Sequence, residues 1–238
     1  MLLIKNGELI LKKFSNIDKL VPNKGQMILL TGGIASGKTF TLNFLKNCGF
    51  ATFNTDAATK SITQSDARAI EEVLENFPEC RIPGDNKSQC KHFIIDRAKL
   101  SDVVFANSAK RQQLENIVYK YIRSARADFI RKVKQEYGVS KSIVIEIPML
   151  FEKLKISPEQ FYPIFAFAER CFIVSTISSM EARYERVMQR KNMTKEKFHA
   201  TVMVQVSDDY RANFSDYLVS TVGTVSGTQL SIRGIVQL

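Results

Sequence analysis

The sequence has no pair of cysteines at CxxC spacing: Cys48, Cys80, Cys90 and Cys171 stand apart, and they read as reduced thiols rather than a disulfide framework. Cys80, Cys90 and His92 are the only grouping with a metal flavour. Without a fourth ligand or paired spacing they read as ordinary loop and core residues. There is no long apolar run, since the opening Met1-Leu2-Leu3-Ile4 meets charge at Lys5, too soon for a signal segment or a membrane span. A cytoplasmic location is the expectation. There is also no block of consecutive lysines or arginines, no internal repeat and no low-complexity tract. The basic excess is nevertheless large, 34 Lys and Arg against 24 Asp and Glu, or +10. An excess of this kind favours anionic partners. Because the two signs are interleaved, a phosphorylated small molecule is expected and nucleic acid is disfavoured. No feature assigns an oligomeric state.

What is present is the composition of an ordinary globular chain, 45% hydrophobic and 24% charged over 238 residues, enough for one core with an inserted region. Asn6-Gly7 between Leu2 to Ile4 and Leu9 to Leu11 predicts a small hairpin. Asn16 to Gly25, with Pro22, reads as a connector, so residues 1–25 form an extension and 26–238 the main domain. Met27 to Thr31 is continuously apolar up to its threonine, as in a strand buried on both faces. A helix is expected over Thr39 to Asn47, stopped by Gly49. Further strands are expected at Ala51 to Phe53 running on to Asp56, at Ile143 to Ile147, at Cys171 to Thr176 and at Asp216 to Val222. Strands separated by helical stretches imply an α/β fold with a parallel sheet flanked by helices. Residues 57–137, with the polar loop Pro83 to Gln89, are long for one crossover. They are the candidate acceptor-binding insertion, and about 179–213 forms a second helical stretch.

Gly32, four residues, then Gly37-Lys38-Thr39 matches the Walker A phosphate loop, and the flanking strand and helix give it the required setting. The glycines let backbone N–H groups wrap a phosphate, and the helix adds the positive end of its dipole. Gly33, Ile34, Ala35, Ser36, Gly37, Lys38, Thr39 and Phe40 are thus the candidate ATP-binding residues, with Thr39 a ligand for Mg²⁺. The loop alone does not name a reaction. A guanine-reading Asn-Lys-x-Asp is missing, because Asn23-Lys24 and Asn86-Lys87 are followed by Gln26 and Gln89. The apolar strand ending in Asp-Glu that motor ATPases carry is also missing. A small-molecule kinase is the leading class, a nucleoside monophosphate or other metabolite kinase included, with a noncatalytic nucleotide-binding module as the alternative from a different class.

From Met27 to the C-terminus the chain resembles the dephospho-CoA kinase family. The resemblance rests on Leu30 to Thr39, Asn54-Thr55-Asp56-Ala57, Asp96-Arg97-Ala98-Lys99-Leu100 with Val104-Phe105, Leu114-Glu115, Ile147-Pro148-Met149-Leu150-Phe151-Glu152, and Arg183 to Arg190 with Gln205 and Arg211. It implies a P-loop nucleotide-kinase-like fold and transfer of the ATP γ-phosphoryl to the ribose 3′-hydroxyl of dephospho-CoA, with ATP and Mg²⁺ required. Asp56 would take the hydroxyl proton, against the alternative that it caps the next helix. Arg186, Arg190 and Arg211, with Lys38, would bear on the phosphates from a helical lid. Arg183, Arg186 and Arg190 share a helix face, a pattern that is also common on solvated surfaces. Asp96, Arg97, Pro148, Leu150 and Phe151 would shape the acceptor site, the last two being equally readable as packing, and Glu146 would approach Mg²⁺ through water. The chain departs from the family at Asn54, where an acid is usual, at Tyr119-Lys120 for His-Pro, at Phe77-Pro78 for Phe-Gly, at Thr221 for Asn, and in its longer loop over Gly84 to Cys90.

Overall fold

The computed structural model describes residues 2–5, 8–11, 19–83, 93–156, 170–191 and 193–237. An antiparallel ribbon opens the chain, β1 (Leu2–Lys5) against β2 (Glu8–Leu11), with Leu2 opposite Leu11. The expected hairpin is present, while its turn, Asn6-Gly7, lies outside the described residues.

The connector expected up to Gly25 is partly core. Leu20 is fully buried; its N–H donates to Ile235 O and its carbonyl accepts from Gln237 N, both at 2.9 Å. Gln26, 1% exposed, accepts from Val21 N through Oε1 at 2.7 Å and donates to Lys19 O through Nε2 at 3.2 Å. A buried amide that meets donor and acceptor in this way costs little and fixes the path of the chain.

β3 (Met27–Gly32) is buried at every residue, as its apolar run required. α1 (Lys38–Asn47) follows and ends before Gly49 at φ +91, where the left-handed backbone favours glycine. β4 (Ala51–Asn54) stops two residues short of Asp56, because Thr55 begins α2 (Thr55–Ser65). The chain continues through α3 (Ala67–Asn76), β5 (Arg81–Pro83), β6 (Phe93–Ile95), α4 (Arg97–Ala106), α5 (Ser108–Tyr137), β7 (Ile143–Glu146), α6 (Leu150–Ile156), β8 (Cys171–Ile177), α7 (Met180–Met188), α8 (Lys195–Met203), α9 (Asp208–Phe214), β9 (Tyr217–Ser220) and α10 (Val225–Ile235). The longer loop noted over Gly84 to Cys90, and His92, lie outside the described residues.

Five strands form one parallel sheet in the order β4-β7-β3-β8-β9. The P-loop strand is central, so Gly32 registers with Thr176 of β8 and Leu30 with Glu146 of β7. The carboxyl ends of these strands share one edge, where open α/β sheets bind ligands. α1 packs on β3, β4 and β7, and α10 on β9. Between helices and sheet lie Leu20, Ile28, Leu30, Leu45, Val144, Val174 and Val219.

The chain divides into two compact units, residues 1–54 with 130–238, and residues 55–129. The second has its own core of Ile70, Val73, Leu74, Phe77, Cys80, Ile95, Leu100, Ile117, Val118 and Ile122. α3 contributes Ala69, Ile70, Val73 and Leu74, an apolar stripe at helical spacing. Asp66 caps it by accepting from Arg68 N and Ala69 N. Cys80 is fully buried in this core. No group of three His, Cys, Asp or Glu is placed to hold a metal among the described residues. No described helix is long and apolar enough to cross a membrane.

Candidate active site

The loop after β3 is shaped by what surrounds it. A Cβ on Gly32 would lie 2.2 Å from Thr176 Oγ1 and 2.5 Å from Ser36 Oγ, so no side chain fits. Gly37, at φ +90, faces Thr221 Cγ2, 2.8 Å from where its Cβ would be. Ala35 holds φ +56 without being glycine, a strain of about 1–2 kcal/mol that surrounding contacts must offset. Ser36 supplies two of those contacts: its Oγ donates to Gly33 O at 2.8 Å and lies 2.6 Å from Thr176 Oγ1. Gly37 is the N-cap of α1, with no side-chain cap and no acid in the first turn. The amides and dipole at this end are therefore directed at the loop, the arrangement that favours an anion. Lys38 Nζ lies over the same loop, donating to Gly32 O at 3.0 Å and Gly33 O at 2.8 Å.

α7 and the segment after α8 hold the loop from the other side. Arg183, 4% exposed, donates through Nε to Ile34 O at 2.9 Å. Gln205 Oε1 accepts from Ile34 N at 2.9 Å and from Arg183 Nη2 at 3.4 Å. Asp208 lies 3.6 Å from Arg183 and 2.6 Å from Arg211. Arg211, 2% exposed, also lies 3.6 Å from Glu152, whose Oε1 accepts from Val206 N at 2.6 Å. Two guanidinium groups are thus balanced by two carboxylates. Burial pulls the Arg183 pKa below the ordinary arginine value, an effect opposed by Asp208 and reinforced by Arg211.

Arg186 reaches the loop directly. Its Nη1 donates to Ala35 O at 3.3 Å, Ser178 Oγ at 3.2 Å and Thr221 Oγ1 at 3.0 Å, and its Nη2 donates to Thr221 O. Thr221 is integrated, its Oγ1 donating to Ser36 O at 3.0 Å. Beside these groups lies a cavity of about 200 Å³ lined by Gly37, Phe40, Arg186, Thr221, Thr224 and Val225, among others.

The other sequence-derived residues are placed unevenly. Arg190 is exposed in the turn beyond α7, off the helix face it was expected to share with Arg183 and Arg186, because α7 ends at Met188. Arg211 is engaged by carboxylates rather than presented to the loop. Leu150 and Phe151 are buried, and Phe151 packs edge-on to Tyr210 at 5.7 Å; of their two readings packing holds, which leaves Pro148 and Met149 half-buried. Met149 has φ +55, a strained turn of the sort that clusters at functional sites. Asp56, Asp96 and Arg97 belong to the second unit. Asp56 is exposed in the first turn of α2, and no backbone N–H donates to its carboxylate among the described residues, so the capping reading fails. Asp96 does cap a helix, accepting from Lys99 N at 3.0 Å, and Arg97 beside it is exposed. Glu146 is 1% exposed at the end of β7.

A single exposed hydroxyl, that of Thr39 in the first turn of α1, suits Mg²⁺, which commonly keeps waters and takes few protein ligands beside substrate phosphates. Sequence reasoning missed Thr176, Ser178 and Asp208. Thr176 stands near the carboxyl end of a strand beside the loop, and Asp208 precedes Arg211 at the i, i+3 spacing of a helical ion pair, signals that could have found both.

A family model described as dephospho-CoA kinase matches residues 26–226. The chain belongs to the dephospho-CoA kinase family. Curated relatives agree: a dephospho-CoA kinase of Staphylococcus aureus is 27% identical, covering 83% of this chain and 86% of its own. One of Bacillus cereus is 26% identical, covering 89% and 96%. The fold is shared with TT1252 from Thermus thermophilus (TM-score 0.67, 21% identity, 89% of this chain and 96% of that one). It is shared also with a dephospho-CoA kinase from Campylobacter jejuni (TM-score 0.56, 20% identity, the same coverage). The family match ends in the first turn of α10 and begins at Gln26, so the buried segment around Leu20 lies outside it.

Proposed function

We propose that the protein transfers the γ-phosphoryl group of ATP to the ribose 3′-hydroxyl of dephospho-CoA, giving coenzyme A and ADP. The observation that carries this reading is the phosphate loop of Gly32 to Thr39, bonded to Arg183 and Arg186 of the following lid segment, in a chain of this family. Backbone amides of Gly33 to Thr39 cradle the phosphates, Lys38 neutralises the β- and γ-phosphates, and the cavity beside Phe40, Thr224 and Val225 takes the adenine. The hydroxyl of Thr39, in the first turn of α1, would hold Mg²⁺, with Glu146 acting on it through water, and the ion would supply positive charge against the phosphates.

Asp56 accepts the proton of the attacking 3′-hydroxyl as the new O–P bond forms, and ADP leaves with the electrons of the broken bond. Arg186 and Arg190 counter charge on the transferred group. Arg211 acts through Asp208 and Arg183, fixing the lid rather than touching phosphate. Residues 57–137 receive the acceptor, with Asp96, Arg97 and Pro148 on its path. The reaction passes a phosphoryl group between two soluble nucleotides, and we place it in the cytoplasm.

The test is ADP formation with dephospho-CoA, AMP, UMP and shikimate as acceptors. Dephospho-CoA is expected to exceed the others by at least about 10²-fold in kcat/KM, the scale at which a site built for a substrate group rejects analogues. A preference for another acceptor overturns the assignment.

A further inference from the structure

Among the described residues three arginines are buried: Arg126 at 4%, Arg183 at 4% and Arg211 at 2% exposure. Arg183 and Arg211 each meet a carboxylate, sharing Asp208, with Glu152 also beside Arg211. Arg126, on α5, has no ion pair with a carboxylate among the described residues. Its polar neighbour is the hydroxyl of Tyr119, and the charge that acts on it is Arg123, of the same sign. Arg123 lies over the Tyr119 ring at 5.8 Å and is itself exposed. The spacing explains the convergence, since residues 119, 123 and 126 are four and seven apart and share one helix face.

Two cations and a tyrosine hydroxyl are a poor resting arrangement. A guanidinium carries five donors, is not deprotonated in proteins and is costly to bury unpaired. Burial and Arg123 both act against its charge, an effect that the neighbouring tyrosine opposes only in part. Such a group is explained by an anion that arrives from outside the chain.

We infer that Arg126, with Tyr119 and the exposed Arg123 beside it, forms a binding point for a phosphate-type anion, and that the anion is the pyrophosphate of the acceptor. This identification of the anion rests on the dephospho-CoA reading: that acceptor joins adenosine to pantetheine through a pyrophosphate. The three residues belong to the unit proposed to receive it. A planar guanidinium matches phosphate oxygens two at a time, and burial strengthens each bond relative to one made in water. Arg126 is a binding residue here; it takes no part in the proton or phosphoryl transfer.

Arg126→Met is the informative variant, because it keeps much of the volume and removes the charge. Two measurements on the full chain separate a binding role from a structural one. First, the thermal midpoint of Arg126→Met without ligands is expected to rise by about 2–4 °C, since a well-packed apolar residue replaces a buried, unpaired cation. A fall of similar size overturns the inference, for it makes Arg126 a structural group. Second, calorimetric titration with dephospho-CoA is expected to give a Kd at least about tenfold weaker for Arg126→Met, with Arg126→Lys in between and the Kd for ATP within twofold of wild type. An unchanged dephospho-CoA Kd overturns the inference even if the midpoint rises. If the wild-type protein itself neither binds nor phosphorylates dephospho-CoA, the reading of the acceptor fails and the pyrophosphate assignment fails with it. The thermal measurement still decides whether Arg126 is held as an unpaired cation.

Discussion

Asp56 has an exposed carboxylate in the first turn of α2, with no backbone N–H donating to it among the described residues, and an accessible carboxylate is what a proton acceptor needs. Asp56→Asn keeps shape and removes basicity, so turnover is expected to fall by about 10²-fold or more while ATP affinity, by equilibrium titration, stays within twofold. Near-normal turnover would assign the proton to another group. The phosphate loop was legible from eight residues because its demands are local. Gly32 and Gly37 cannot carry a Cβ where they sit, and strand and helix flank them in the same stretch of chain. Arg183 and Arg211 carried no such signal. A basic helical stripe looks alike whether it is solvated or buried, and what distinguishes these two is Asp208 and Glu152, the latter more than fifty residues from Arg211. Arg190, which the same stripe singled out, falls just past the end of α7, and helix ends are where pattern reading is weakest.

α6, α7 and α9 are tied by the chain of charges from Glu152 through Arg211 and Asp208 to Arg183, ending on the Ile34 carbonyl. Removing one buried member leaves its partner uncompensated. Glu152→Ala is accordingly expected to cost about 3 kcal/mol in urea unfolding, and Glu152→Gln less, because its amide oxygen still accepts from Val206 N. Equal losses would mean that the charge of Glu152 contributes nothing. In the second unit α3 and α5 are joined by Glu72, which accepts from Lys120 Nζ at 2.6 Å and from the Tyr121 hydroxyl. The Glu72 contact pushes the Tyr121 pKa from 10.0 up to about 12. A raised folded-state value means that the contribution is fully present below the unfolded pKa and is lost as pH rises through the folded one. The gap in thermal midpoint between wild type and Tyr121→Phe should therefore be constant to about pH 9 and close from about pH 10 to 12. A gap that persists to the end of that range removes Tyr121 from the alkaline limb. Neither tie could be read beforehand: Lys120-Tyr121 and Glu72 are far apart in sequence, and amphipathic periodicity fixes which face of a helix is inward but not its partner.

For the molecule as a whole, the question is where the folding unit begins. Alternation of strands and helices was enough to imply the parallel sheet, because parallel neighbours need long crossovers, and the family match begins at Gln26. Both suggest that the chain before that residue is dispensable. Packing argues otherwise for its last part. Leu20 is fully buried against the sheet and α10 core and bonds on both sides of its peptide to residues 235 and 237. Ser142, at the entry to β7, donates from Oγ to Val21 O at 2.6 Å and from its backbone N–H to Pro22 O at 2.8 Å. Pro22 and the polar composition made this stretch look like a linker; what makes it core is one leucine and the carbonyls around it, which no periodicity marks. Two truncations separate the possibilities. Removing residues 1–18 should leave the thermal midpoint within about 2 °C of the full chain, less than a 1 kcal/mol effect in a protein of this size. Removing residues 1–25 deletes a buried leucine, worth about 2–5 kcal/mol when cut to alanine, and strands the carbonyls of α10, so the midpoint should fall by about 10 °C. Leu20→Ala in the full chain should reproduce at least half of that fall. If the longer truncation is as stable as the shorter, the fold begins at Gln26 after all, and the contacts of Leu20 add nothing to it.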